Sequence, residues 1–310
     1  MNKFTSAVAE HWSNWQIDRY RRLQTQTHYV DWADHPIVWK RVCELAFGSA
    51  ACDVSDFLRG LKPSLANQRV LSLCSGDGQF EIDMVSRGVF GEVLGLDLSP
   101  VRVQAAKARC TLLPAELNGR CAFSVADVNK LNLPAACVDA VFAKSALHHI
   151  EGIDELFSGV RSYLRPEGRL IALDFFGPSR FQWTDKQLRE VHRIWNEELP
   201  LECKIAPNGA PYEPIQRPSV DEMVALDPSE AVRSGELYDK LREYFTVEVD
   251  IALGGTLLNL LLWGDRVNRF RIDHPAHCEV LLRTVELEQK LIRSGELASD
   301  FRLIVARRRG

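Results

Sequence analysis

The 310-residue chain is 46% hydrophobic and 26% charged, the balance of a globular protein with ample core, and its length admits one large α/β domain or two. A formal net charge of −4 gives no electrostatic reason to expect nucleic acid or an anionic membrane as partner, and the basic run Arg307-Arg308-Arg309 reads as a solvated terminus. No apolar stretch approaches membrane-spanning length, since Leu257–Trp263 is short and broken by Asn259, and no charged-then-apolar leader is visible.

Residues 1–66 read as a helical segment ahead of the main fold. Trp12, Trp15, Ile17, Tyr20 and Leu23 recur at roughly helical spacing, as do Val38, Trp39, Val42, Leu45 and Phe47. Between them runs the aromatic stretch Tyr29–Pro36, where Pro36 starts a new helix. Such a segment either closes over a bound ligand as a lid or covers a sheet edge.

From residue 67 the pattern changes to apolar runs separated by helices. Val70–Leu73 ends in Cys74-Ser75-Gly76-Asp77-Gly78. Val93–Asp97 follows, with Ser99-Pro100 supplying an N-cap and a first-turn proline. Cys121–Val125 leads to Asp127, and Val138–Ala143 leads to Lys144-Ser145-Ala146-Leu147-His148-His149. Gly168–Asp174 is the fifth run. This alternation predicts a doubly wound parallel sheet, whose ligands bind beyond the carboxyl ends of the strands. Gly76, Asp97, Asp127, Ser145 and Asp174 then share one rim. About seventy residues separate the fifth run from Phe245–Val249, far more than a crossover helix needs, so residues 175–244 read as an insertion that builds an acceptor pocket. Helices are predicted near Asp185–Glu198, Glu236–Tyr244 and Glu279–Arg293, and a last strand at Phe301–Ala306.

Strand, glycine turn, helix, strand, acid is how an α/β protein builds a nucleotide site. The glycines let backbone approach the ligand, Asp97 can accept ribose hydroxyls, and Asp127 can accept an adenine amino group. A dinucleotide fingerprint has a third glycine where this chain has Glu81. A carboxylate there repels a pyrophosphate, which disfavours an NAD-dependent oxidoreductase, and tolerates a cationic ligand.

On these motifs the stretch from Gln68 to Phe175 resembles the class I S-adenosylmethionine (SAM)-dependent methyltransferases. It departs from their commonest first motif at Ser72, where an acid usually stands, and at Cys74, which replaces the first glycine. The resemblance implies a Rossmann-like seven-stranded sheet with its last strand antiparallel. It also implies SAM held by Cys74, Ser75, Gly76, Gly78, Asp97, Leu98, Asp127, Val128, Lys144 and Ser145. Phe175–Thr184, Asp227–Ser234 and Gly254–Leu258 are similar to a bacterial methyltransferase subgroup that often sits beside glycan or natural-product assembly enzymes. With them the 67–310 unit reads as one methyltransferase domain.

Methyl transfer to a hydroxyl needs an aligned nucleophile and a base. Similar small-molecule O-methyltransferases imply His149 or His148 as base, with Asp174 as its partner or as a ligand of the acceptor hydroxyl. Arg180, Arg217 and Arg233 are candidates to clamp an anionic acceptor group, and Phe176, Phe181, Trp183 and Tyr212 to wall the pocket. The leading expectation is methylation of a sugar or secondary-metabolite hydroxyl, with S-adenosylhomocysteine as by-product. The alternatives are C-methylation of an isoprenoid diphosphate and a non-catalytic SAM-binding protein. A nucleic-acid methyltransferase is disfavoured by the acidic balance and by the lack of an Asn/Asp-Pro-Pro-Tyr type motif. The eight cysteines lack C-x-x-C spacing and read as reduced thiols of a cytoplasmic protein. His274-x-x-His277 contains Pro275, lacks evident partners and reads as a loop; no metal is expected.

Overall fold

The computed structural model describes residues 5–6, 8–14, 29–49 and 52–309. The helical pattern expected through Trp15, Ile17, Tyr20 and Leu23 lies outside the described residues. Among the described residues no helix is long and apolar enough to cross a membrane.

Residues 8–14 are helical. Then come α1 (Pro36–Phe47), begun by its proline, and α2 (Val54–Gly60), capped by Asp53. The central unit is β1 (Arg69–Leu73), α3 (Gln79–Ser86), β2 (Glu92–Asp97), α4 (Pro100–Cys110), β3 (Cys121–Val125), β4 (Val138–Lys144), α5 (Ile153–Tyr163) and β5 (Leu164–Phe175). After β5 the insertion contributes α6 (Asp185–Glu197), α7 (Val220–Leu226) and α8 (Leu237–Tyr244). The chain closes with β6 (Phe245–Gly254), the short α9 (Leu258–Leu261), α10 (Pro275–Arg293) and β7 (Phe301–Arg308).

The strands form one sheet in the order β3-β2-β1-β4-β5-β7-β6, parallel except for β7, which runs antiparallel to both neighbours. Successive side chains of a strand face opposite sides, so each strand feeds two cores. Val70, Ala140, Phe142, Ile171, Leu303 and Val305 pack against α1, α2 and α10 on one face. Leu71, Leu73, Val141, Ala143, Leu170, Ala172 and Ile304 pack against α5 and α8 on the other. Burial on both faces explains why the central strands read as continuous apolar runs. The strand order reverses between β1 and β4, and the crevice beyond their carboxyl ends is where such sheets bind ligands.

One predicted boundary moves. α10 begins at Pro275, four residues before Glu279, with His274 as its N-cap, so His277 lies in a helix and not in a loop. Pro at N1 starts the helix, and the polar first turn hides it from apolar periodicity.

Candidate active site

A cavity of about 1000 Å³ opens at the carboxyl ends of the strands. Its floor begins with the turn after β1. Cys74, Gly76 and Gly78 all have positive φ, at 51°, 59° and 68°. For the glycines this costs little; at Gly78 a Cβ would also meet the ring of Phe123. The turn is tied to β2: Ser75 N–H donates to Leu96 O at 2.8 Å, and Gly76 N–H donates to Asp97 Oδ2 at 2.8 Å. The other Asp97 oxygen accepts from Ser99 N–H at 2.9 Å. Asp97 therefore builds the turn and still has lone pairs for ligand hydroxyls. Asp127 caps the turn Val128–Lys130 through Asn129 N–H at 3.1 Å and lines the same cavity, with Cys74, Ser75, Leu98, Val128, Lys144 and Ser145. Gly76 and Gly78 shape the turn without lining the cavity.

Glu81 is a residue whose place the sequence showed without its contact. It is 3% exposed, lines the cavity, and accepts a hydrogen bond from Ser72 Oγ at 2.7 Å through Oε1. Its Oε2 is buried with no hydrogen-bond partner. Burial raises the Glu81 carboxyl above the usual carboxylate range.

At the far end stand His148 and His149, in the turn after β4. Asp174 is 1% exposed and accepts backbone N–H from Ala146, Leu147 and Phe175 at 2.8, 2.7 and 2.9 Å. It also accepts from His148 Nδ1 at 2.5 Å. That set buries and occupies the carboxylate, so Asp174 orients the His148 turn as its partner; the alternative, Asp174 as a ligand of the acceptor hydroxyl, is overturned. The insertion stretch Asp227–Ser234 docks on this turn, Val232 N–H donating to His148 O at 3.0 Å. It delivers two side chains. Glu230 Oε1 lies 3.5 Å from His148 Nε2, and Ser229 Oγ lies 3.1 Å from His149 Nδ1. Ser229 donates its own proton to Asp227 Oδ1 at 2.8 Å, so His149 Nδ1–H is the donor to Ser229 and Nε2 is left with its lone pair.

Burial, then the neighbouring His148, holds His149 well below the usual histidine value, so its ring is neutral. Burial alone would lower His148 too, but the Asp174 and Glu230 carboxylates outweigh it and raise it. Burial also raises the Glu230 carboxyl. One ligating atom each from His148, His149 and Glu230 falls within 4.8 Å of the others, a spacing that suits a small cation. A proton shared between His148 Nε2 and Glu230 balances the same charges.

The cavity wall beyond the histidines is aromatic. Phe175 sits edge-on to Phe181 and Phe301, at ring separations of 5.1 and 5.3 Å, and Phe181 edge-on to Trp263 at 5.2 Å. Asn259 and Trp263 also line the cavity.

Residues 70–168 match the profile of the family described as "Methyltransferase domain". Residues 70–168 of this chain are a methyltransferase domain. SAM is the cofactor of such a domain, and Glu81 beside the turn suits a cationic ligand better than a pyrophosphate, while Asp77 is paired with Arg109 at 3.0 Å. The chain is 30% identical over 145 residues to 27-O-demethylrifamycin SV methyltransferase of Amycolatopsis mediterranei, covering 46% of this chain and 52% of that one. It is 30% identical over 148 residues to the ubiquinone/menaquinone biosynthesis C-methyltransferase UbiE of Pseudomonas paraeruginosa, covering 47% and 55%. The chain thus spans about half the length of the curated relatives it matches. Among solved structures, geranyl diphosphate C-methyltransferase from Streptomyces coelicolor A3(2) superposes with a TM-score of 0.54 at 14% identity, over 99% of this chain and 98% of that one. At that identity the likeness shows the fold alone.

Most insertion residues proposed for the acceptor pocket do not line the cavity. Phe176 packs edge-on to Tyr238 behind the sheet, and Trp183 stacks on the outer side of Phe181. Tyr212 lies under Arg266, its ring 5.2 Å from the guanidinium. Arg217 donates to Trp183 O at 2.7 Å and pairs with Asp185. Arg233 donates to Glu151 O at 2.9 Å and pairs with Glu236. Arg180 donates to Glu230 O at 3.0 Å, and so holds the loop that carries Glu230 without reaching the cavity. Phe181 alone of the four proposed wall aromatics is in place. Glu230, Asn259, Trp263 and Phe301 were not among the candidates. Only the motif match at Asp227–Ser234 pointed toward Glu230, and the lone Asn259 in an apolar run was a signal read merely as a break. Far from this cavity, His274 and His277 stack at 4.0 Å and face Glu202, at 3.9 and 3.2 Å, so the expected lack of partners is corrected. His277 Nδ1 accepts from Arg271 N–H, which leaves its Nε2–H to donate to Glu202 and not to bind a metal.

Proposed function

We propose that the protein methylates a hydroxyl of a small secondary metabolite or sugar, one that presents a flat or apolar face, with His149 as the base. The observation that carries this reading is the neutral His149 ring, its Nδ1 held by Ser229 and its Nε2 free, beside the aromatic wall. Bound SAM supplies a methyl carbon already activated by its sulfonium. In this reading Asp97 accepts the ribose hydroxyls, Asp127 the adenine amino group, and Cys74, Ser75, Leu98, Val128 and Ser145 pack around the nucleoside. His149 Nε2 takes the acceptor proton as the oxygen attacks, and the Ser229–Asp227 chain keeps the ring in the required tautomer. His148, fixed by Asp174, shapes the adjoining wall with Glu230.

A second reading, C-methylation of an isoprenoid diphosphate, draws on the same wall, because aromatic faces stabilise a carbocation. Against it, Arg180, Arg217 and Arg233 are engaged outside the cavity. The test is incubation with methyl-labelled SAM and a metabolite extract, with His149→Ala as control. Label in low-mass methoxy groups, lost in the variant, supports O-methylation. Label in C-methyl groups transfers the support to the second reading, and label only in high-mass material overturns both.

A further inference from the structure

We infer that Glu81 anchors the cofactor's α-ammonium group from the helix side of the glycine turn. The inference rests on the SAM reading and concerns its amino-acid end. Ser72, on β1, is fully buried and spends its hydroxyl on Glu81, so the strand itself offers the cavity no acid. Glu81 comes from the first turn of α3, and the Ser72 bond fixes its rotamer with Oε1 occupied. Glu81 lines the cavity, and its Oε2 is buried just beneath that surface without a partner. A buried carboxylate oxygen in that state is costly until a donor arrives, and a charge-assisted ammonium bond is the strong form of that donor.

The ends of the cofactor are distinguishable by what surrounds them. Asp97 ends β2 and Asp127 caps the turn after β3, the nucleoside side, while the histidines and aromatic wall mark the acceptor side. The remaining stretch, between the ends of β1 and β4, holds Glu81 and Lys144. Lys144 Nζ rests 5.6 Å from the Phe80 ring centroid, and it acts electrostatically on Glu81. Asp31 also lines the cavity and acts electrostatically on Lys144, and Asp77 is paired with Arg109 at 3.0 Å. Glu81, with one oxygen unpartnered, and Lys144 match the two charges of an amino-acid zwitterion, Glu81 taking the α-ammonium and Lys144 the α-carboxylate.

The experiment is calorimetric titration of the full chain with S-adenosylhomocysteine and with 5′-methylthioadenosine, which shares the nucleoside but lacks the amino-acid end. Glu81→Gln should weaken S-adenosylhomocysteine binding about tenfold or more, in keeping with loss of a charge-assisted bond, and leave methylthioadenosine within about twofold. Methylthioadenosine binding also reports that the variant is folded. Unchanged S-adenosylhomocysteine affinity, or equal loss for both ligands, overturns the inference. A wild-type protein that binds methylthioadenosine but gains nothing from the amino-acid end overturns it while leaving the nucleoside site intact. Failure of the wild type to bind either ligand overturns the cofactor reading as well.

Discussion

In the proposed reaction His149, kept neutral by burial and by a second imidazole 4.0 Å away, serves as the base over a wide pH range. The sign follows from the direction of its shift. The competent form is the unprotonated ring, so activity rises with pH through the lowered His149 value and stays level across neutrality. Measured kcat/KM should therefore lose activity only on the acid side, below the ordinary histidine range. His149→Ala should remove that limb and lower kcat by about a hundredfold or more, while cofactor binding stays the same. Ser229→Ala should lower kcat less, because the ring survives but its tautomer is no longer held. Asp97 makes a different prediction, since it holds the turn and, in the proposed function, the ribose as well. Asp97→Asn keeps one acceptor oxygen and should bind S-adenosylhomocysteine more tightly than Asp97→Ala, which frees the Gly76 and Ser99 N–H groups as well. Equal affinities in a titration would show that the turn does not depend on Asp97.

At the scale of elements, the N-terminal helical residues lie across the mouth of the cavity. Ser13 Oγ is 2.7 Å from Ser99 Oγ, His11 Nε2 is 3.4 Å from Asp227, and the Trp12 ring meets His149 edge-on at 5.0 Å and Arg102 at 4.9 Å. The proposal of a lid draws support from these contacts, which reach the nucleoside side and the base at once. Trp12→Ala removes a ring contact and a cation–π contact of about 0.5–1 kcal/mol, so KM for SAM should rise a few-fold while kcat changes less. A steady-state comparison with an unchanged KM would leave the segment as edge cover. Much at this scale was legible: Ser99-Pro100 does start α4, and the alternation of runs placed the strands. The acceptor wall was not. Phe175, Phe181, Trp263 and Phe301 come from four separate places in the chain, and nothing local marks them as neighbours.

Across the whole molecule the seam between α10 and the turn at Gly254-Gly255 holds a buried charge. Glu288 is fully buried and accepts N–H from Gly255 and Leu258 at 2.8 and 3.1 Å, and also from Leu257. Burial nonetheless pushes its carboxyl up to about 7, the backbone donors offsetting only part of that. A folded-state value above the unfolded one means a contribution to stability that is complete below the ordinary carboxylate value of 4.5 and is lost as pH rises through about 7. Glu288→Gln, which cannot ionise, should therefore gain on the wild type in urea denaturation as pH rises from 4.5 to about 7, by an amount on the order of 1 kcal/mol per unit, and gain no more above that. A constant difference would place the Glu288 carboxyl near its unfolded value. The motif Gly254–Leu258 thereby acquires a structural reason, which the sequence suggested only by resemblance.

The sequence alone determined the sheet, the glycine turn and the acids Asp97 and Asp127. These depend on local periodicity and on turns that only certain residues can make, and both are written in neighbouring positions. Tertiary structure decided the rest. It set Glu81 beside Ser72, brought Ser229 and Glu230 from the insertion to His149 and His148, and turned Arg217 and Arg233 away from the cavity. Each of those outcomes depends on contacts between residues far apart in the chain or on the direction in which a side chain is buried, and neither leaves a local signature.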